Sequence, residues 1–198
     1  MTRLILASGS RTRRMLLDNA GLSFDVQTAD VDERSIEAPL LEAAFPPDDI
    51  AAVLAEAKAV DVSERYPEAL VIGADQTLGL GDRRFNKPAD ITAARKQLLD
   101  LRGQTHGLHS AVVCARDGEA IWRHVSTAWL TMRDFSPEYL GHYMAEVGDR
   151  VLESVGCYQL EGPGIQLFKE IKGDYFTILG LPLFPLLDFL RTDGVLEA

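Results

Sequence analysis

The stretch Leu70–Thr77, L-V-I-G-A-D-Q-T, restricts the fold more than any other part of the chain. Three apolar residues run into Gly73-Ala74, and a single carboxylate, Asp75, follows. A short apolar run bounded by glycine predicts a buried strand. Parallel α/β sheets place their reactive groups where such strands end. An acid at that point has to be solvated, paired or metal-bound, because burying a lone carboxylate is costly. Taken alone, Asp75 reads equally well as a turn cap and as a working group.

The surrounding pattern alternates strands and helices. Leu4 to Ala7 predicts a first strand, and Ser8-Gly9-Ser10 the turn after it. Arg11 to Ala20 predicts a helix, with Ser10 as N-cap and Gly21 as its stop. Phe24 to Ala29 reads as a short second strand. Residues 34–47, with Pro39, Pro46 and Pro47, read as an irregular connection. Asp48 to Glu64 is the clearest helix: Ile50, Val53, Leu54, Ala57 and Val60 repeat at helical spacing, acids fill the first turn, and Lys58 falls at the margin of the apolar stripe. Asp90 to Arg102 predicts another helix, and Leu108–Ala115 and Ala120–Met132 a hairpin around Arg116-Asp117-Gly118-Glu119. Ser136-Pro137 opens a helix to about Val147. Short strands are expected near Tyr158, at Ile165–Ile171 and at Tyr175–Leu179, and a last helix after Pro182. The sum is an α/β fold with a mixed sheet and flanking helices, in one domain over residues 1–198 with two lobes.

Composition narrows the function classes. Thirty acidic against twenty basic residues give a net charge of −10. Such a surface repels a nucleic-acid polymer, which is bound mainly through phosphate neutralisation, but leaves room for a small phosphorylated ligand in a locally basic pocket. No apolar run approaches the ~20 residues of a transmembrane helix. The N-terminal apolar stretch is too short for a signal peptide and runs straight into arginines, so the expected compartment is the cytoplasm. Cys114 and Cys157 form no Cys-x-x-Cys pair and read as ordinary thiols.

Three segments carry chemistry. Ala7–Arg14, A-S-G-S-R-T-R-R, presents backbone N–H groups, the hydroxyls of Ser8 and Ser10 and several guanidinium groups at a helix start, a physically good phosphate receptor that is not a Walker A loop. Lys58 and Lys87 are each ordinary surface charges when taken singly. With Arg13 and Asp75 they would form the cation cluster around one acid that triphosphate chemistry needs. In Val155–Gly164, V-G-C-Y-Q-L-E-G-P-G, the glycines permit tight turns and Glu161 is a second candidate for a buried acid. His106 and His109 point to opposite faces of a strand and read as structural or exposed.

In this order, the pieces resemble the Maf family of nucleoside triphosphate pyrophosphatases. Ser8–Arg14 stands where that family has S-A-S-P-R-R, Gly73-Ala74-Asp75 matches G-A-D, and Asn86-Lys87-Pro88 stands for G-K-P. Gly103–His106 matches G-Q-T-H, and Gly173–Leu183 the closing G-D-Y-F-T-x-x-G-L-P-L. The resemblance implies a Maf/ITPase-like fold, an elongated mixed sheet with two lobes around a nucleotide cleft. It further implies a homodimer, and hydrolysis between the α and β phosphates with a divalent cation, Mg²⁺ or Mn²⁺. On this reading Asp75 is general base or metal ligand, and Ser8, Arg13, Lys58 and Lys87 hold phosphates. Glu33, Gln76 and Glu161 line the metal or base-recognition side. The chain departs from the commonest pattern at Arg11-Thr12, Asn86, Gln76, Ser154 and Glu161. Asp-Gln with a Glu-Gly ending is more similar to the subgroup acting on 7-methylguanosine triphosphate than to the thymidine and uridine triphosphate subgroup. The resemblance also brings a reading of another class, a nucleotide-binding regulator of septum formation acting through a protein partner.

Overall fold

The computed structural model describes residues 2–197. Its centre is a seven-stranded mixed sheet of order β2-β1-β3-β5-β6-β7, with β4 paired to β3. The strands are β1 (Leu4–Leu6), β2 (Asp25–Val26), β3 (Leu70–Leu80), β4 (Arg83–Phe85), β5 (Thr105–Arg116), β6 (Glu119–Met132) and β7 (Phe168–Lys172). β1 runs parallel to β2 and β3, while β3–β4 and β6–β7 are antiparallel. The helices among the described residues are α1 (Arg11–Asn19), α2 (Glu33–Glu42), α3 (Pro47–Arg65), α4 (Ile91–Leu101), α5 (Pro137–Val147), α6 (Tyr175–Ile178) and α7 (Leu183–Thr192). The mixed α/β class expected from the sequence is therefore the observed one. None of these helices is long and apolar enough to cross a membrane.

Contacts divide the chain into two compact units. One comprises the residues through Gln76, His109–Ser126 and those from Tyr175 onward, and the other Thr77–Leu108 and Thr127–Asp174. In the first unit the sheet is covered on both faces, so its strands are apolar on both sides. Leu4, Leu6, Leu70, Ile72 and Ala74 pack with Leu16 and Leu17 of α1 and with Leu183, Leu186 and Leu190 of α7. On the opposite face Ile5 and Val71 meet Val62 of α3, while Ala51, Ala55 and Ala59 of α3 pack with Ala111, Val113 and Ala115 of β5.

The alanine row on α3 explains a shift from the expected helix face. Val53 is 36% exposed and Ala57 and Val60 are only half-buried, whereas Ala51, Ala55 and Ala59 are fully buried. Small residues win the inward positions because α3 lies almost on the backbone of β3. A Cβ at Gly73 would stand 2.3 Å from the Ala55 carbonyl oxygen and 2.7 Å from Ala59 N and Cβ. The start of α3 follows its sequence: Pro47 occupies the first turn, where its missing N–H costs nothing, and Asp48 and Asp49 complement the helix dipole.

Four expectations are corrected. Residues 34–47 are not irregular throughout, because Asp32 Oδ1 accepts from Arg34 N and Ser35 N and nucleates α2, which accommodates Pro39. The strand expected over Phe24–Ala29 shrinks to Asp25–Val26. No strand forms near Tyr158. There two 3-10 turns, Gly148–Leu152 and Pro163–Leu167, carry the chain, and a Cβ at Gly156 would strike the Tyr158 ring at 2.2 Å. Tyr175–Ile178 is one helical turn, and of the three late strands only Phe168–Lys172 remains. By contrast, the Ser136-capped α5 and the hairpin form as read, with Asp117 and Gly118 both at positive φ in the two-residue turn between β5 and β6.

In the second unit, His106 is fully buried and its Nε2 shares a hydrogen bond with the Tyr158 hydroxyl at 2.7 Å. Burial pushes its pKa down to about 4, so the ring is neutral at pH 7. The Tyr158 ring meets Phe168 edge-on at 4.7 Å, and Tyr143 donates its hydroxyl to the Cys157 carbonyl. Cys114 and Cys157 are both free and buried.

Two glycine substitutions separate close approach from propensity. Gly73→Ala is expected to lower the unfolding free energy by about 1–3 kcal/mol, the usual cost of overpacking. Gly141→Ala, inside α5 with nothing within 4 Å of the added carbon, is expected to raise it by about 0.5–1 kcal/mol. Equilibrium denaturation measures both, and equal effects at the two positions would refute the account of Gly73.

Candidate active site

Asp75 does not lie at a strand end, as its sequence context indicated, but in the middle of β3. Side chains alternate along a strand, so Gly73 and Asp75 face α3 while Ala74 and Gln76 face the other layer. The close contact at Gly73 brings α3 down onto the sheet, and Lys58, one residue before Ala59, is delivered over the acid. Its Nζ donates to Asp75 Oδ1 at 2.6 Å, with the two side chains 12% and 11% exposed. The same ammonium lies 3.0 Å from Glu33 Oε1 at the first turn of α2. Glu33 reaches it because Asp32 caps that turn, the Ser35 hydroxyl and backbone N–H holding the Asp32 carboxyl below its ordinary pKa.

Arg13 approaches from the first turn of α1, where Ser10 Oγ accepts the backbone N–H of Arg13. Its Nη1 donates to Ser8 Oγ at 3.1 Å and to the Ala74 carbonyl at 2.9 Å, and its Nε donates to the Gly180 carbonyl at 2.8 Å. The guanidinium is thus fixed in orientation with its Nη2 edge outside these bonds. Burial draws its pKa down, and Asp75 and Glu33 oppose that shift. For Asp75, burial dominates and raises the pKa above the usual carboxylate value, while Lys58 and Arg13 pull it back and Glu33 adds to the rise.

Gln76 is a neighbour of Asp75 in sequence but not in space. Its Nε2 donates to Ser110 Oγ at 2.9 Å and meets the carbonyls of Ile178 at 3.0 Å and Thr177 at 3.1 Å. Three oxygens around one atom identify it as the amide nitrogen. Lys58 thus joins Glu33 and Asp75, and Arg13 joins Ser8, the two groups coupled through the charges of Arg13 and Asp75, while the Gln76 side chain turns to the opposite face of the strand from Asp75. Lys87 and Glu161 belong to the second unit, and both are exposed. Glu161 is thus not the buried acid the glycine-rich segment implied. It lies in a tight turn in which Gly162 N donates to the Gln159 carbonyl. Sequence reasoning missed Ser110, Thr177 and the Gly180 carbonyl. The only local signal was at Gly180, whose φ of +93° favours glycine and turns its carbonyl toward Arg13.

This network can receive an anion and a hard cation side by side. Among the described residues no group of three or more His, Cys, Asp or Glu side chains forms a metal site. Two carboxylates that already share one ammonium do match the manner in which Mg²⁺ is held, by one or two carboxylates completed by phosphate oxygens and water. A buried ion pair is weak support for stability, since apolar replacements are often as good. The Lys58–Asp75 pair is therefore not by itself a source of stability.

The fold and site define an α/β protein with a buried carboxylate ion-paired to Lys58, near a guanidinium fixed by Ser8. The chain belongs to the Maf-like protein family, whose model matches residues 3–193. It is 58% identical over 195 residues, 98% of both chains, to the 7-methyl-GTP pyrophosphatase of Brucella abortus biovar 1 (strain 9-941). It is 57% identical, with the same coverage, to the 7-methyl-GTP pyrophosphatase of Mesorhizobium japonicum. To the nucleoside triphosphate pyrophosphatase of Caulobacter vibrioides it is 54% identical, over 99% of this chain and 98% of that one.

Lys58→Met tests the electrostatics directly. It removes a charge and a hydrogen bond that lower the Asp75 pKa, while leaving the burial that raises it, so the Asp75 titration should move to higher pH. Carboxyl ¹³C NMR follows that midpoint, and an unchanged or lower midpoint would show that Lys58 does not compensate the acid.

Proposed function

We propose that the chain hydrolyses nucleoside triphosphates at the α–β anhydride, releasing a nucleoside monophosphate and pyrophosphate, and that its preferred base is 7-methylguanine. The observation that carries the reading is the buried Asp75, held by Lys58 beside Arg13 and Ser8. A triphosphate needs fixed cations, and in-line displacement needs one acid to orient water. The water oxygen attacks the α-phosphorus, the bond to the bridging oxygen breaks, and pyrophosphate leaves with that electron pair. Asp75 holds the attacking water and accepts its proton. Arg13 and Ser8 fix the phosphate oxygens, and Lys58 neutralises charge between acid and phosphate. Asp75 and Glu33 would hold a divalent cation, Mg²⁺ or Mn²⁺, which lowers the pKa of bound water and screens the phosphate charge.

The base preference draws on the names of the Brucella and Mesorhizobium relatives and on the Glu161-Gly162 segment. A carboxylate can balance the positive charge of a methylated guanine, which a neutral glutamine cannot. Lys87 is proposed as a further phosphate ligand.

Pyrophosphate release is to be assayed over 7-methylguanosine, guanosine, uridine and thymidine triphosphates, with Mg²⁺, Mn²⁺ or chelator. Metal-dependent release, fastest with the methylated guanine nucleotide, is the expected result. Binding without release would favour a nucleotide-dependent regulator, and a pyrimidine preference would overturn the base assignment. Asp75→Asn is expected to lower kcat by ~10²–10⁴ with the fold intact, and near-normal turnover would remove Asp75 from the mechanism. Glu161→Gln is expected to erode the preference for the methylated base; an unchanged preference would exclude Glu161 from recognition.

A further inference from the structure

The structure assigns Ser110 as a positioning residue for the Arg13 guanidinium, acting through the carbonyl end of α6; its kinetic consequence rests on the proposed triphosphate hydrolysis. Ser110 lies on β5, is fully buried, and its hydroxyl does two things at once. It donates to the Thr177 carbonyl at 2.7 Å and accepts from Gln76 Nε2 at 2.9 Å. Gln76, on β3, carries the same grip to the carbonyls of Thr177 and Ile178. A helix end leaves its last carbonyls without intrahelical donors. In α6 they are met by two side chains rooted in the sheet.

The consequence lies two residues further on. The Gly180 N–H donates back to the Thr177 carbonyl at 3.1 Å, so the carbonyl that Ser110 grips also anchors Gly180. With φ at +93°, Gly180 then turns its own carbonyl onto Arg13 Nε at 2.8 Å. The other fixed points of Arg13, Ser8 Oγ and the Ala74 carbonyl, both engage Nη1. Gly180 therefore supplies the second axis that stops the planar guanidinium from rotating. A guanidinium recognises phosphate through a fixed fork of N–H groups, so loss of that axis weakens binding without touching the reacting acid.

The test is Ser110→Ala, with Ser110→Thr retaining the hydroxyl, in the full chain. In Ser110→Ala the triphosphate KM should rise roughly 3–10-fold, the worth of about one neutral hydrogen bond, with kcat within about twofold. The Arg13 Nε–H resonance in ¹⁵N NMR should show faster solvent exchange. Ser110→Thr should restore both. A variant that loses thermal stability but keeps the wild-type KM and Nε–H exchange would reduce Ser110 to a packing role and overturn the assignment. Should Ser110→Ala fail to fold, Ser110→Cys, a weak donor of similar size, carries the same readouts. If the wild-type protein releases no pyrophosphate, the proposed hydrolysis fails, while the Nε–H exchange still decides whether Ser110 orders Arg13.

Discussion

The site depends on a backbone contact. Gly73 lets α3 approach β3 to a separation that any side chain would forbid, and the alanines at 51, 55 and 59 keep that approach along the helix. Because α3 is held there, Lys58 reaches Asp75 at 2.6 Å instead of extending into solvent. The Coulomb attraction of that pair is what makes a buried acid tolerable in the middle of a strand. A small-residue seam is thus the precondition of the electrostatics, and the electrostatics the precondition of the chemistry.

Arg13 and Lys58 reach Asp75's neighbourhood in different ways. Lys58 comes down from the helix covering one face and pairs with the carboxylate itself. Arg13 comes from the first turn of α1 and is fixed by oxygens: Ser8, Ala74 and Gly180. The first cation sets the charge balance of the acid, and the second is free to present charge to a ligand because its own orientation needs no carboxylate. Glu33 and Asp75 both pair with the Lys58 ammonium, so one cation balances two carboxylates.

Much of this was legible in the chain. The capped α1 after a small-residue turn, the long α3 and the serine–proline start of α5 are local events governed by capping and periodicity, and they formed where the pattern placed them. Asp75, Lys58, Arg13 and Ser8 were identifiable as candidates because few residue types suit phosphate chemistry, and Glu33 through the family resemblance. Proline suggested a loop at 34–47 although Asp32 offered a strong cap. The short strands expected near Tyr158 and Tyr175 give way to glycine-permitted turns and a single helical turn.

What the sequence determined by itself was the mixed α/β class, the strongly patterned elements such as α1, α3, α5 and the β5–β6 hairpin, and a short set of candidate charged side chains. What only the tertiary structure decided was how adjacent residues divide their work. Asp75 and Gln76 are consecutive, and the chain alone invited treating them as one recognition pair. The period-two geometry of a strand sends them to opposite faces, so the acid meets Lys58 while the amide holds the carbonyl end of α6. Ser110 leaves no chemical signature in the sequence, and Gly180 signals a turn but not what its carbonyl faces. Their importance comes from the atoms they face, and those atoms are supplied by residues 67 and 167 positions away.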